Sequence, residues 1–127
     1  MIFDGFVPVE GSPLYRQIIR HIQRGLAAGT IRFGDELPSR RTLSALLGVN
    51  PNTVQKAYRL LEEEGLILSH TGAKSTVVAD EAAQSRVRGE LLQAEVRDTI
   101  AAMKHMGLSR QEALALVDQL WKEGETP

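Results

Sequence analysis

Between Ser39 and Gly65 the chain starts a helix, breaks it and starts another within a few residues, and this restart constrains the fold more than any other feature. Ser39 is a good N-cap. The helix it opens is expected to bury Leu43, Leu46 and Leu47 before Gly48 breaks it. Asn50 then caps a second helix, with Pro51 at its first position, where a missing N–H costs nothing. Val54, Ala57, Tyr58 and Leu61 recur at helical spacing, and Gly65 ends the run. Two helices joined by a three- or four-residue turn form a helix-turn-helix.

The flanks fill in the rest of a small domain. Ser12 and Pro13 repeat the capping device, and Leu14, Ile18, Ile22 and Leu26 then mark one face of a helix that Gly29 ends. From Ile31 to Pro38 a Gly-Asp turn precedes a short extended piece. After Gly65 come two strand-like runs, Leu66–Ser69 and Ser75–Ala79, with a hairpin tip at Thr71–Lys74. Past Gly72 there is no glycine until Gly89 and no proline until Pro127, so the chain turns from turn-rich to helical near Ala79. The last third reads as a helix from about Glu81 to Met106, a link at Gly107-Leu108, and a second helix over roughly Arg110–Glu123 behind the capping box Ser109/Glu112. The expected architecture is mainly α with a small β-hairpin wing. Residues 1–78 form a winged helix-turn-helix and residues 79–127 a two-helix tail.

Bulk properties exclude several classes. There are no cysteines, so disulfide frameworks and thiolate metal sites are out. His21, His70 and His105 are scattered, no carboxylate sits at ligand spacing from them, and no metal or cofactor is expected. No Gly-rich phosphate loop, nucleophile elbow or H-E-x-x-H motif is present, which argues against an enzyme. No apolar run approaches the ~18 residues of a membrane span, and the N-terminus lacks the pattern of a secretory signal. A cytoplasmic location without membrane contact is expected. Formal net charge is −1, but residues 1–78 carry nine Lys/Arg against seven Asp/Glu, and residues 79–127 six against nine. The helix-turn-helix lies in the basic part.

In a helix-turn-helix the second helix enters the major groove, and residues near its start reach base edges. Here that start is Asn50, Asn52, Thr53, Gln55 and Lys56, with Arg59 one turn further. With Val54 committed to the core, Asn52, Thr53 and Lys56 are expected to face outward, with Gln55 nearer the flank. Asn and Gln suit adenine, and the Thr methyl suits thymine. No acidic residue occupies the first turn, which favours a polyanion at the positive end of the helix dipole. Glu62, Glu63 and Glu64 stand at the other end and oppose the dipole there, so they do not serve helix stability through it. Arg40 and Arg41 open the preceding helix, where phosphate is within reach. His70, Gly72 and Lys74 surround the hairpin tip and suit the backbone or minor groove.

The first tail helix carries Leu91, Leu92, Val96, Ile100 and Met103 over more than one narrow stripe and so needs two neighbours. One is the second tail helix, through Val117 and Trp121 among others. The other is expected to be the same helix of a second subunit, making a homodimer with its reading helices one turn of DNA apart, about 34 Å; the alternative is a tail that packs only on its own winged domain. A tail this short has little room for a drug-sized pocket, and any small-molecule effector stays unknown.

The runs PLYRQI, GDELPSRRTL and LGVNPNTVQKAYRLLEEEG together resemble the N-terminal domain of GntR-type bacterial regulators over residues 13–78. The resemblance implies a winged helix, dimeric binding of double-stranded DNA at a palindromic operator, and repression. By position it assigns DNA contacts to Arg41, Asn50, Asn52, Thr53, Gln55 and Gly72. The wing departs from the family's G-x-G-x-F-V: Lys74 stands in place of the second glycine and Thr76 in place of the aromatic. The 49-residue tail resembles the YtrA-type subgroup, in which two helices serve dimerisation and transporter operons are frequent targets. The rival function is a winged-helix module that binds protein. It would lack the steep salt dependence that phosphate contacts bring.

Overall fold

The computed structural model describes residues 2–70 and 74–125. The chain divides into two compact units, Met1–Leu91 and Leu92–Pro127. The elements are α1 (Leu14–Ala28), β1 (Glu36–Leu37), α2 (Arg40–Leu47), α3 (Pro51–Glu63), β2 (Ile67–Ser69), β3 (Ser75–Val77), α4 (Glu81–His105) and α5 (Arg110–Glu125).

In the first unit, Ile18, Ile22 and Leu26 of α1 meet Leu43 of α2 and Val54, Ala57, Tyr58 and Leu61 of α3 in one buried cluster. The helical stripes read from the sequence are therefore the core faces, with Leu14 and Leu47 only partly buried at their edges and Leu46 outside them. Leu46 is 59% exposed, and α2 instead buries Leu43 and Ser44. The helix is only eight residues long, and one narrow face is all it presents to α3. Helix α1 begins at Leu14, one residue later than expected. Pro13 takes the N-cap place and no side chain caps the helix. Its lead-in is tied by Gln17, whose amide group exchanges hydrogen bonds with the Val9 backbone and donates to Ser12 O at 2.8 Å.

The turn between α2 and α3 is set by Gly48, whose φ of 66° lets the Val49 N–H reach back to Ser44 O at 3.0 Å. Asn50 caps α3 as expected, its Oδ1 accepting from Asn52 N at 2.8 Å. The hairpin gains a third strand. The extended piece before α2 forms β1, and the antiparallel order is β1-β3-β2, with Leu37 opposite Ser75 and Ile67 opposite Val77. The strands are shorter than the runs predicted, β2 starting at Ile67 and β3 ending at Val77, although the Val78 N–H still donates to Leu66 O at 2.9 Å.

The change of chain character at Ala79 and the division between units do not coincide. Val87 of α4 is buried in the first unit's core with Ala79, while Ala83 and Leu91 pack against it. Gln84 Nε2 donates to Leu26 O at 2.7 Å. In the second unit, Gly107 (φ 82°) turns the chain, and Ser109 and Glu112 exchange side chain-to-backbone hydrogen bonds. Those bonds from Ser109 hold the Glu112 carboxyl below its ordinary pKa. No described residue of this unit is buried.

Candidate nucleic-acid interface

The exposed side of α3 is built by subtraction. Val54, Ala57, Tyr58 and Leu61 face the core, which leaves Asn52, Gln55, Lys56 and Arg59 exposed and Thr53 half-buried at the edge. Asn50 spends its side-chain oxygen on the cap, so its part in any contact is the amide nitrogen. No acidic residue lies in the first turn of α2 or α3. The free N–H groups of α3 and its dipole therefore present an unopposed positive end.

The cations around this surface differ in their partners. Arg59 pairs with Glu63 one turn on at 3.2 Å, and Lys74 pairs with Glu36 across the sheet at 3.4 Å. Both pairs are exposed and weak, worth about 0–1 kcal/mol. Arg41 is exposed, and neither Arg41 nor Lys56 meets a carboxylate among the described residues. Lys56 instead lies over the Tyr15 ring of α1, its Nζ 4.0 Å from the centroid. His70 shares a hydrogen bond with Thr76 Oγ1 at 2.8 Å beside the hairpin tip. Gly72 lies outside the described residues.

Arg40 also has neighbours within the fold. It turns from the start of α2 toward the hairpin, where Nη2 donates to Ser69 Oγ at 3.0 Å. Its guanidinium lies 5.7 Å from the Tyr58 ring centroid, and its Nε is shut off from solvent with no hydrogen-bond partner among the described residues. Ser69 also gives its N–H to Glu62 Oε1 at 3.0 Å and shares a hydrogen bond with Ser75 at 3.3 Å. Tyr58 donates to Pro38 O at 2.7 Å, and burial pushes its phenol well above the ordinary range, so it stays a neutral donor. Arg40, Ser69, Glu62 and Ser75 thus join α2, α3 and both strands of the hairpin at one point.

The three glutamates at the end of α3 now have separate uses. Glu62 holds Ser69, Glu63 pairs with Arg59, and Glu64 accepts from Gln23 of α1 at 3.3 Å. Tyr15 and Arg16 were passed over in the sequence. The signal that points to them is position, since Tyr15 falls on the face of the buried α1 stripe, half-buried against the core, and Arg16 beside it is exposed.

In the second unit, Leu92, Val96, Ile100, Val117 and Trp121 are exposed and Met103 is half-buried. Leu91 belongs elsewhere, half-buried against the first unit's core. Between α4 and α5 lies an open apolar cleft of about 560 Å³, more room than expected of a tail this short, whose lining includes Val96, Ile100, Met103, Leu108, Leu114 and Val117. No helix among the described residues is long and apolar enough to cross a membrane.

A profile described as "Bacterial regulatory proteins, gntR family" matches residues 14–78. The chain is 38% identical over 84 residues to the HTH-type transcriptional repressor YtrA of Bacillus subtilis (strain 168), a match covering 66% of this chain and 64% of that protein. The chain thus spans just under two thirds of that relative's length. It is 31% identical over 103 residues to the uncharacterized HTH-type transcriptional regulator YhcF of the same organism, covering 80% of this chain and 84% of that one. Among solved structures, it is similar to a GntR family transcriptional regulator from Listeria monocytogenes, with a TM-score of 0.77, 28% identity, and coverage of 88% and 98%. It is also similar to YtrA from Sulfolobus acidocaldarius, a GntR-family transcription factor, with a TM-score of 0.53, 28% identity, and coverage of 94% and 98%.

Proposed function

The chain belongs to the gntR family of bacterial regulatory proteins, and from that premise we propose that it is a sequence-specific DNA-binding repressor acting as a homodimer on an inverted-repeat operator. The observation that carries this reading is the start of α3. Exposed Asn52, Gln55 and Lys56 stand at a helix end with no carboxylate in its first turn, with Arg41 exposed at the start of the preceding helix. Amides at that place read base edges, and arginine and lysine hold phosphate. His70 and Lys74 extend the same surface along the hairpin. Phosphate would compete with Glu36 for Lys74 and with Glu63 for Arg59.

The second unit supports the dimer. A single chain leaves Leu92, Val96 and Trp121 more than half exposed, and a partner's equivalent helices would cover them. Two subunits joined there would offer two α3 helices to half-sites about 34 Å apart. The likeness to the YtrA-type subgroup supports a transporter operon as the target.

The test is selection of bound sequences from a random duplex library at fixed moderate salt. The expected product is an inverted repeat with half-sites one helical turn apart, and its position in the source genome names the operon. A single unrepeated half-site would refute dimeric recognition. Recovery of no sequence, with no salt-sensitive affinity for duplex DNA, would replace this reading with a protein-binding winged helix.

A further inference from the structure

We propose that the start of α1 carries an additional DNA contact, a seat for one backbone phosphate formed by the Tyr15 hydroxyl with Arg16 and Lys56. The inference rests on the regulator reading above and extends its surface to residues outside the helix-turn-helix. Arg16 Nε donates to the Tyr15 hydroxyl oxygen at 3.1 Å, and its guanidinium carbon is 5.7 Å from the ring centroid. Lys56 Nζ approaches the same ring from α3 at 4.0 Å. Two cations therefore converge on one half-exposed phenol whose hydrogen is free to donate.

Charge balance separates this cluster from the other basic residues of the surface. Arg59 and Lys74 each have a carboxylate within ion-pair distance, whereas Arg16 and Lys56 have none among the described residues. Like charges drawn together without a counter-ion repel, and an anion seated on both relieves that repulsion. The hydrogen bond from Arg16 holds the phenol below its ordinary pKa, with the charges of Arg16 and Lys56 acting in the same direction. A more acidic hydroxyl is a better donor to a phosphate oxygen. Lys56 lies one helical turn beyond Asn52 on the exposed side of α3, so the cluster continues the surface that reads bases. Tyrosine, arginine and lysine are all ordinary phosphate ligands.

A purely structural role, in which the cluster only fastens α1 to α3, predicts different binding behaviour. The test measures anisotropy of two labelled duplexes of unrelated sequence across a range of salt, using the chain and three variants matched by thermal unfolding. Arg16→Gln is expected to weaken binding on both duplexes and to reduce the slope of log affinity against log salt by about 0.9, one phosphate. Arg16→Lys should keep the slope. Tyr15→Phe keeps the ring under Lys56 and should lose roughly two- to tenfold on both duplexes with the slope unchanged. An Arg16→Gln protein with the wild-type slope overturns the seat even if its affinity falls, and so does a Tyr15→Phe protein that binds like wild type. Either result leaves the regulator reading standing. Failure of the unaltered chain to bind either duplex at any salt overturns both.

Discussion

The two units use apolar residues in opposite ways. The first puts Ile18, Ile22, Leu43, Val54, Tyr58 and Leu61 out of reach of water around a single core. The second has a comparable supply of large side chains and buries none of them, with Trp121 70% exposed and Leu92 53%. Apolar surface left in water forfeits about 25 cal/mol per Å² that burial would recover. The difference teaches that the first unit closes a core of its own, whereas the second leaves its large apolar side chains at least partly exposed, as the proposed dimer requires. Contiguous exposed apolar surface of that kind marks an interaction site.

The sharpest way to break this comparison is to place a charge on the second unit. Ile100→Asp should convert dimer to monomer in light scattering. It should also weaken operator binding by about 10²- to 10⁴-fold, because the second half-site is then no longer bound intramolecularly. The only tryptophan of the chain, Trp121, gives a second readout. Its emission should shift to the red in the variant at concentrations where the parent is associated. An Ile100→Asp protein that remains dimeric would show that the exposed stripe is not the subunit interface.

A matched pair of truncations sharpens the same contrast. Leu61→Ala hollows the first unit's core and should cost ~2–5 kcal/mol in denaturant unfolding at any protein concentration. Leu114→Ala removes a similar side chain from the second unit, where 54% of it is exposed. Its cost should be visible only as a change in how stability depends on protein concentration. Equal, concentration-independent losses would mean that the second unit has a core of its own.

The sequence was a better guide to the first unit than to its details. The α3 stripe, the Asn50 cap and the Gly48 turn were all legible, since capping chemistry and helical periodicity act over a few neighbouring residues. Leu46 misled because periodicity marks an apolar arc but not how much of it a short helix can cover. The pairing of β1 with β3 was not legible, because Glu36–Leu37 is too short to carry an alternating pattern and its partner lies some forty residues away. The interface followed the same division. Asn52 and Lys56 could be placed outward from the α3 period alone, whereas Thr53, expected outward, is half-buried and Gln55, expected nearer the flank, is exposed. The turning of Arg40 onto Ser69, the ring of Tyr15 under Lys56, and the separate partners of the three glutamates depend on contacts between elements, which spacing along the chain does not encode.

Arg40 and Arg41 carry that distinction at adjacent positions, and they make the finest test of it. Equivalent as text, they differ in surroundings: Arg40 is tied to Ser69 and lies by Tyr58, and Arg41 is exposed. If Arg40 acts as the brace between α2 and the hairpin, Arg40→Ala should lower stability by about 1–2 kcal/mol, since a charge-assisted hydrogen bond and its packing are lost together. The salt dependence of DNA binding should hardly change. Arg41→Ala should do the reverse, unfolding within about 0.5 kcal/mol of the parent while the log–log salt slope falls by about one unit. A double-mutant cycle of Arg40→Ala with Ser69→Ala should return coupling in stability, and the same cycle with Arg41→Ala should return none. If both arginines lower the slope and neither lowers stability, then Arg40 leaves Ser69 for phosphate when DNA arrives, and the hairpin is held by Glu62 and Ser75 alone.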